Sequence, residues 1–295
     1  VKKQHIEGLL LGLLLVSCKG GKQPLEYESF CYQDSSQYAV VHIQGQLPIA
    51  RDKSEQAMRD TMLYLMQSDI CTAAASSDSI ILEPYNGTCD SVNLFAKHYG
   101  RQLYDTFYRL SQADWKERES MIQSDSTLSE TEKISLIENG PQWMYSLDVK
   151  HVSENNRYLV LSFCDYIYQG GAHGGISGAG AVTFAKQTGQ RISKFLIPDC
   201  EEKIQPLLVT GLLLYYTQDE DEIMTEPELM ERLLLEGNTI PLPKQYPPYP
   251  TSEGLVFTYG QYEIACYADG MPSFCIPYSQ IEPFLLPEVK QLIVE

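Results

Sequence analysis

The stretch Tyr168-Gln169-Gly170-Gly171-Ala172-His173-Gly174-Gly175 holds the most chemically suggestive residues of the chain. Paired glycines admit positive φ and let the backbone approach a ligand or a neighbouring strand closely. A histidine among them is either presented or pinned by that backbone. Its imidazole could serve as a general base with Asp165, as a metal ligand, or as a hydrogen-bond donor to a bound partner. Beside these stands a structural role, in which His173 satisfies buried carbonyls and fixes the turn. Among the functional roles binding is preferred, with Tyr168, Gly170, Gly171, His173 and Gly174 as the ligand-binding residues. No catalytic residue, metal ligand or cofactor is assigned.

The enzyme templates do not fit. Gly175-Ile176-Ser177-Gly178-Ala179 lacks the closing glycine of a nucleophile elbow. The glycines do not follow GxGxxG, and no GKS or GKT is present to cradle a nucleotide. The chain's five histidines form no HExxH and no other close pair. Asp219-Glu220-Asp221-Glu222 has a weak capacity for Ca²⁺ but reads as a solvated loop. A hydrolase working through His173 and Asp165 is the remaining catalytic alternative.

Cys18 carries a different chemistry. Lys2 and Lys3 precede an apolar run from Leu9 to Val16, which ends in Leu15-Val16-Ser17-Cys18. The run is shorter than the roughly 20 residues a spanning helix needs. It is the pattern of a lipoprotein signal peptide (1–17) cut before Cys18, whose acylated cysteine then anchors the chain to a membrane. Lys19, and not Asp, after that cysteine fits the outer membrane, so the expected location is the extracytoplasmic cell envelope. A polar tether (18–26) follows.

Eight cysteines in an exported chain permit disulfides. Cys266 and Cys275 are expected to face each other across a hairpin. Cys71 with Cys89 and Cys164 with Cys200 are further options that would leave Cys31 unpaired. None of the spacings is CxxC. The net charge is −17, and removing Lys2, Lys3 and Glu7 with the signal peptide takes it to about −18. So acidic a chain is a poor partner for nucleic acid or anionic lipid and favours basic partners.

Elements must hold these residues in place. Tyr27 to Pro48 alternates as strand, and Arg51 to Ser68 is helical through Ala57, Met58, Met62, Leu65 and Met66. Ser91 caps a long helix with Val92, Phe95, Tyr99, Leu103, Phe107 and Leu110 on one stripe. Ser129 with Glu132 forms a capping box for a short helix closed by Gly140-Pro141. Residues 145–152 and 157–168 read as paired strands, followed by strands at 181–186 and 191–197 around a Thr188-Gly189 turn. A helix runs from Asp199 towards Tyr216, its first turns weakened by Pro206. Thr225 with Glu228 caps another that ends at Gly237. Strands are expected at 255–259, 263–267 and 273–276, then a short helix from Ser279. The proline-rich Pro241–Pro250 reads as an ordered loop lying on the domain. The irregular order gives an α+β fold: two small modules, 27–140 and 141–295, with mixed or antiparallel sheets and packed helices.

Motifs in the second module resemble a known family. Tyr168-x-Gly170-Gly171-Ala172-His173-Gly174, Thr183-Phe184 and Thr188-Gly189 are followed by Gly254-Leu255-Val256-Phe257-x-Tyr259, Tyr262-Glu263-Ile264-Ala265, Gly270 and Ile276-Pro277-Tyr278. Together they resemble, over about 145–287, the RsiV-like domain of unknown function. Residues 27–140 resemble more weakly the α/β module that precedes it. That family includes the lysozyme-sensing part of the anti-sigma factor RsiV and an accessory region of the peptidoglycan deacetylase PdaC. A lipobox so early leaves no room for a sigma-binding segment, and no deacetylase domain is expected. The resemblance therefore implies an envelope domain that binds or senses a basic protein such as lysozyme, or peptidoglycan.

Overall fold

The computed structural model describes residues 24–75, 81–87, 91–138, 140, 142–171, 174–175, 180–218 and 224–293. Cys18, Cys89, His173 and Asp219 to Glu222 therefore lie outside the described residues. Among those described, no helix is long and apolar enough to cross a membrane.

The fold is α+β. Tyr27–Ser35 (β1) and Ala39–Pro48 (β2) form an antiparallel hairpin. Ser36 closes it, its Oγ accepting from Tyr38 N and Ala39 N at 3.2 Å each. Lys53–Ala75 (α1) starts at Asp52, whose Oδ1 accepts from Ser54 N and Glu55 N at 2.9 Å each. The helix outruns Ser68 because Ile70, Ala73 and Ala74 continue the buried stripe of Met58, Met62 and Met66. Val92–Ser124 (α2) begins on the Ser91 cap, with Leu94 N donating to its Oγ at 3.4 Å. Glu130–Glu138 (α3) carries the expected box, since Ser129 N and Oγ donate to Glu132 Oε2 at 2.8 and 2.6 Å.

Trp143–Glu154 (β3) and Tyr158–Tyr168 (β4) pair antiparallel, as the sequence suggested, and Gly180–Ala185 (β5) and Arg191–Ile192 (β6) complete the sheet. The sheet has six strands in chain order, β1 to β6. Its β2–β3 contact is parallel and runs from Ala39↔Trp143 to Gly45↔Val149. A parallel neighbour needs a crossover, which α1, α2 and α3 supply. The sheet thus continues across residue 140, joining strands from both expected modules. One apolar cluster runs from Leu25 to Phe184 and a second from Phe195 to Val289, so the core divides between β5 and the chain beyond β6.

The second cluster is built on Glu201–Thr217 (α4), Glu226–Arg232 (α5) and a three-stranded antiparallel sheet: Tyr249–Pro250 (β7), Gly254–Thr258 (β8) and Ser273–Pro277 (β9). Pro206 sits inside α4 without ending it, because Ile204, Leu208, Leu212 and Tyr216 bury one face. Gly211 lets α4 approach β9, since a Cβ there would overlap the Phe274 ring. The proline-rich loop does lie on the unit: Gln205 exchanges two 2.9 Å bonds with the Ile240 backbone, and Tyr259 OH donates to Pro241 O at 2.8 Å.

Several boundaries differ from expectation. The strand expected over 191–197 lasts only through Ile192, with one bridge at Leu196↔Leu285. Helix α5 stops at Arg232, not at Gly237. The last helices are Tyr278–Ile281 (α6) and Pro287–Ile293 (α7), the first opening one residue before Ser279 and the second not expected. Residues 263–267 are not a strand, because Glu263 turns its carboxylate back onto Gly260 N at 2.8 Å and Lys244 N at 2.5 Å. Ile264 and Ala265 are then buried side by side, which an alternating strand forbids.

Candidate functional site

The glycine loop leaves the end of β4. Ile167 and Gly175 exchange both backbone bonds at 2.8 Å each, an antiparallel bridge at the base of the glycine stretch. Gly170 and Gly171 take φ of 85° and 93°, as the paired glycines implied. Tyr168 OH donates to Gly171 O at 3.1 Å, holding one limb against the strand it left. Gly174 is buried, and a Cβ on it would overlap the Tyr166 hydroxyl. A Cβ on Gly170 would lie 3.7 Å from both Asp114 Oδ2 and Trp143 Nε1. Among the described residues that buried indole N–H has no hydrogen-bond partner. Four of the five loop residues singled out from sequence are thereby placed; His173 is outside the described residues.

The C-terminal unit meets this loop through tyrosines that sequence reasoning missed. Tyr267 OH donates to Gly174 O at 3.0 Å, tying the two cores together at the loop. Tyr262 lies 6.0 Å from Tyr267, ring centroid to ring centroid, and is 58% exposed. Its φ is 62°, a left-handed conformation that disfavours a bulky side chain by about 1–2 kcal/mol. The Glu263 carboxylate, clamped by two backbone N–H groups, holds that turn. A 3-10 turn, Tyr267–Asp269, orients the second ring. Arg232 Nε and Nη2 donate to Asp269 Oδ1 at 3.1 and 2.6 Å, and the guanidinium carbon lies 4.4 Å from the centre of the Tyr216 ring. Hydrogen bonding to Arg232 holds the Asp269 carboxyl below its ordinary range. Arg232 also interacts with the Tyr216 face as a cation–π pair. The signal in the sequence was the Gly260-Gln261-Tyr262-Glu263 turn, hidden by reading 263–267 as strand.

Beneath the loop is a buried polar group. Asp165 is fully buried and lies on the helix-facing side of β4, opposite Leu147. Tyr145, two residues along β3, is also fully buried and donates to Asp69 Oδ2 at 3.0 Å. Burial first, then the negative charges of Asp69 and Asp165, pushes the Tyr145 hydroxyl well above its usual range, so it acts as a donor. Asp165 is thus walled in, and the alternative that paired it with His173 falls outside the described residues.

The expected Cys266–Cys275 bridge is not formed. Both are free and exposed, because the segment carrying Cys266 is a turn and no hairpin opposes it to β9. Cys266 Sγ instead donates to Asp269 Oδ2 at 3.4 Å. Cys164 is exposed on β4 whereas Cys200 is inside the second core, and both are free. Cys71 is free, with Cys89 outside the described residues. Cys31 is free and exposed, 3.9 Å from His42 Nε2.

Residues 190–279 match the family model described as "Protein of unknown function (DUF3298)", a span lying within the second unit and the strand that leads into it. The fold is similar to a solved DUF3298 family member from Bacteroides fragilis, with a TM-score of 0.57 and 16% identity over 92% of this chain and 98% of that one. It is also similar to a DUF3298 family protein from Pseudomonas aeruginosa, with a TM-score of 0.50 and 15% identity over the same shares. These likenesses carry the fold. No curated protein matches the chain in sequence.

Proposed function

We propose that this chain is a binding or sensing module of the bacterial cell envelope, tethered by lipid on Cys18, that recognises a basic protein of the lysozyme type. The observation that carries this reading is the exposed Tyr262, held at positive φ and packed at a tilt beside a tyrosine bonded to the glycine loop. Strained residues persist where surrounding structure over-determines them, and they cluster at ligand sites. Tyrosine supplies large contact area at low entropic cost, which is why it is enriched in binding surfaces. The net charge of −17 would speed encounter with a basic partner. Resemblance of residues 145–287 to the RsiV-like domain supports the same partner class.

The test is calorimetric titration of the chain begun after Cys18 with a c-type lysozyme at physiological salt. Micromolar or tighter binding that weakens with added salt is expected. No heat at two temperatures would remove the lysozyme partner. An exposed tyrosine ring can also stack on a sugar face, so sedimentation with insoluble peptidoglycan tests the second reading. Anchoring is tested separately: acyl labelling of the full chain in a bacterial host should vanish in Cys18→Ala.

A further inference from the structure

Helix α2 runs on past the core it covers. Ser111 is its last buried residue, and the helix continues to Ser124. At 1.5 Å per residue that extension reaches about 20 Å further. Helix α3 follows it in the chain, and Lys133 is the one buried residue of α3. Residues 112–138 therefore form a helical arm whose length core burial does not account for.

The arm is held rigid by its own polar groups. Lys133 Nζ donates to Gln123 O at 3.2 Å and to Glu130 Oε1 at 3.4 Å, fastening α3 to α2. In the turn between them, Asp125 Oδ1 accepts from Thr127 N and Oγ1 at 2.8 and 2.6 Å. The arm is also unusually acidic. Residues 112–138 hold seven Asp or Glu against three Lys or Arg, a net charge of −4. A proportional share of −17 over 295 residues would be about −1.6. Among the described residues, the exposed Glu117, Glu119 and Glu138 form no ion pair or side-chain hydrogen bond. Met121 and Ile134, 60% and 55% exposed, stand among these charges. The foot of the arm lies at the glycine loop, where a Cβ on Gly170 would be 3.7 Å from Asp114 Oδ2. Tyr267 reaches the same loop at Gly174 O.

We infer that the α2–α3 arm is a second contact surface for a basic protein partner, beside the Tyr262 patch, an inference that rests on the function proposed above. Unpaired carboxylates on a rigid arm steer a cationic surface into register and speed its encounter. Met121 and Ile134 supply apolar contact once the two surfaces meet. Nucleic acid and anionic lipid are repelled by the same charge. A second copy of this chain would set one net −4 arm against another, and like charges face to face oppose that pairing.

The test follows association and dissociation rates of c-type lysozyme on the chain begun after Cys18. Glu117→Lys/Glu119→Lys should lower the association rate about tenfold and make it less sensitive to salt. Met121→Ser should act on the dissociation rate, raising it about threefold. All three positions are exposed on a helix, so melting temperatures should stay unchanged. Glu253→Lys/Glu282→Lys, on exposed carboxylates beside the second core, changes net charge equally and should slow association less than about twofold. Equal losses in the two reversals would overturn the inference, since net charge and not the arm would then set the rate. Self-association of the unsubstituted chain in sedimentation, abolished by Met121→Ser, would also overturn it by giving the arm to a second copy. Lysozyme binding indifferent to every arm substitution removes this inference alone. Absence of lysozyme binding removes the proposed partner and this inference with it.

Discussion

At Tyr262 two demands on one side chain conflict. A left-handed backbone disfavours tyrosine by about 1–2 kcal/mol, while the tilted ring contact with Tyr267 returns about 0.5–1.5 kcal/mol. Asn tolerates this conformation and keeps ordinary unfolded-state entropy. Tyr262→Asn is therefore expected to leave the melting temperature unchanged or slightly raised while weakening partner binding at least about tenfold. A marked fall in melting temperature would show the ring to be structural. Gly174 makes the opposite case. Its Cβ has no room beside Tyr166, so Gly174→Ala should shift the loop and reduce binding through the backbone, visible as altered amide shifts for residues 168–175. The sequence showed that glycines 170, 171 and 174 had a conformational job. It could not show that Tyr166 and Tyr267 define that job at Gly174, because one contact spans the loop and the other spans 93 residues.

Elements carry the next set of constraints. In α4 an alanine at 211 would gain about 1 kcal/mol of helix propensity. Overlap with Phe274 costs about 1–3 kcal/mol, so Gly211→Ala should destabilise, read as a lower urea midpoint at unchanged slope. The turn that orients Tyr267 depends on the Arg232–Asp269 pair. The Asp269 carboxyl is held below its ordinary range in the folded chain, chiefly by the Arg232 hydrogen bond. Its contribution is thus present above the unfolded value of about 4 and is lost as pH falls through the lower folded value. Hydrogen exchange at residues 267–270 should accelerate over that acidic window, and Arg232→Gln should remove the pH dependence while costing about 1 kcal/mol. Helix periodicity was legible for α1 and α2 because one face of each is buried along its length. The 263–267 segment was misread because a single carboxylate, Glu263, outcompetes strand pairing for Gly260 and Lys244.

For the molecule as a whole, the shared six-stranded sheet sets what can fold alone. A fragment ending at residue 140 would lose β3, leaving the β2 edge unpaired from Ala39 to Gly45. Such a fragment should show little ordered structure by far-UV circular dichroism, and a folded, monomeric fragment would contradict the shared-sheet account. The units on either side of β6 are joined by a small cluster of Tyr158, Val160 and Ala181 with Tyr249, by Asn155 Nδ2 donating to Leu292 O at 3.0 Å, and by Tyr267 at the loop. Tyr158→Ala removes the buried ring of that cluster and should separate one calorimetric transition into two.

The sequence alone determined the α+β class, the stripes of α1 and α2, the β3–β4 pair, the three N-terminal capping signals, the positive φ at Gly170 and Gly171, and the acidic charge. All of these are local patterns or sums over residue types, set by periodicity, caps and composition. Only the tertiary structure decided that β2 and β3 lie side by side, with about 100 residues of helix and loop between them. It also decided that Cys266 and Cys275 stay apart and that Tyr267 reaches Gly174. Each depends on which distant surfaces share a core, and no window of local sequence encodes that choice.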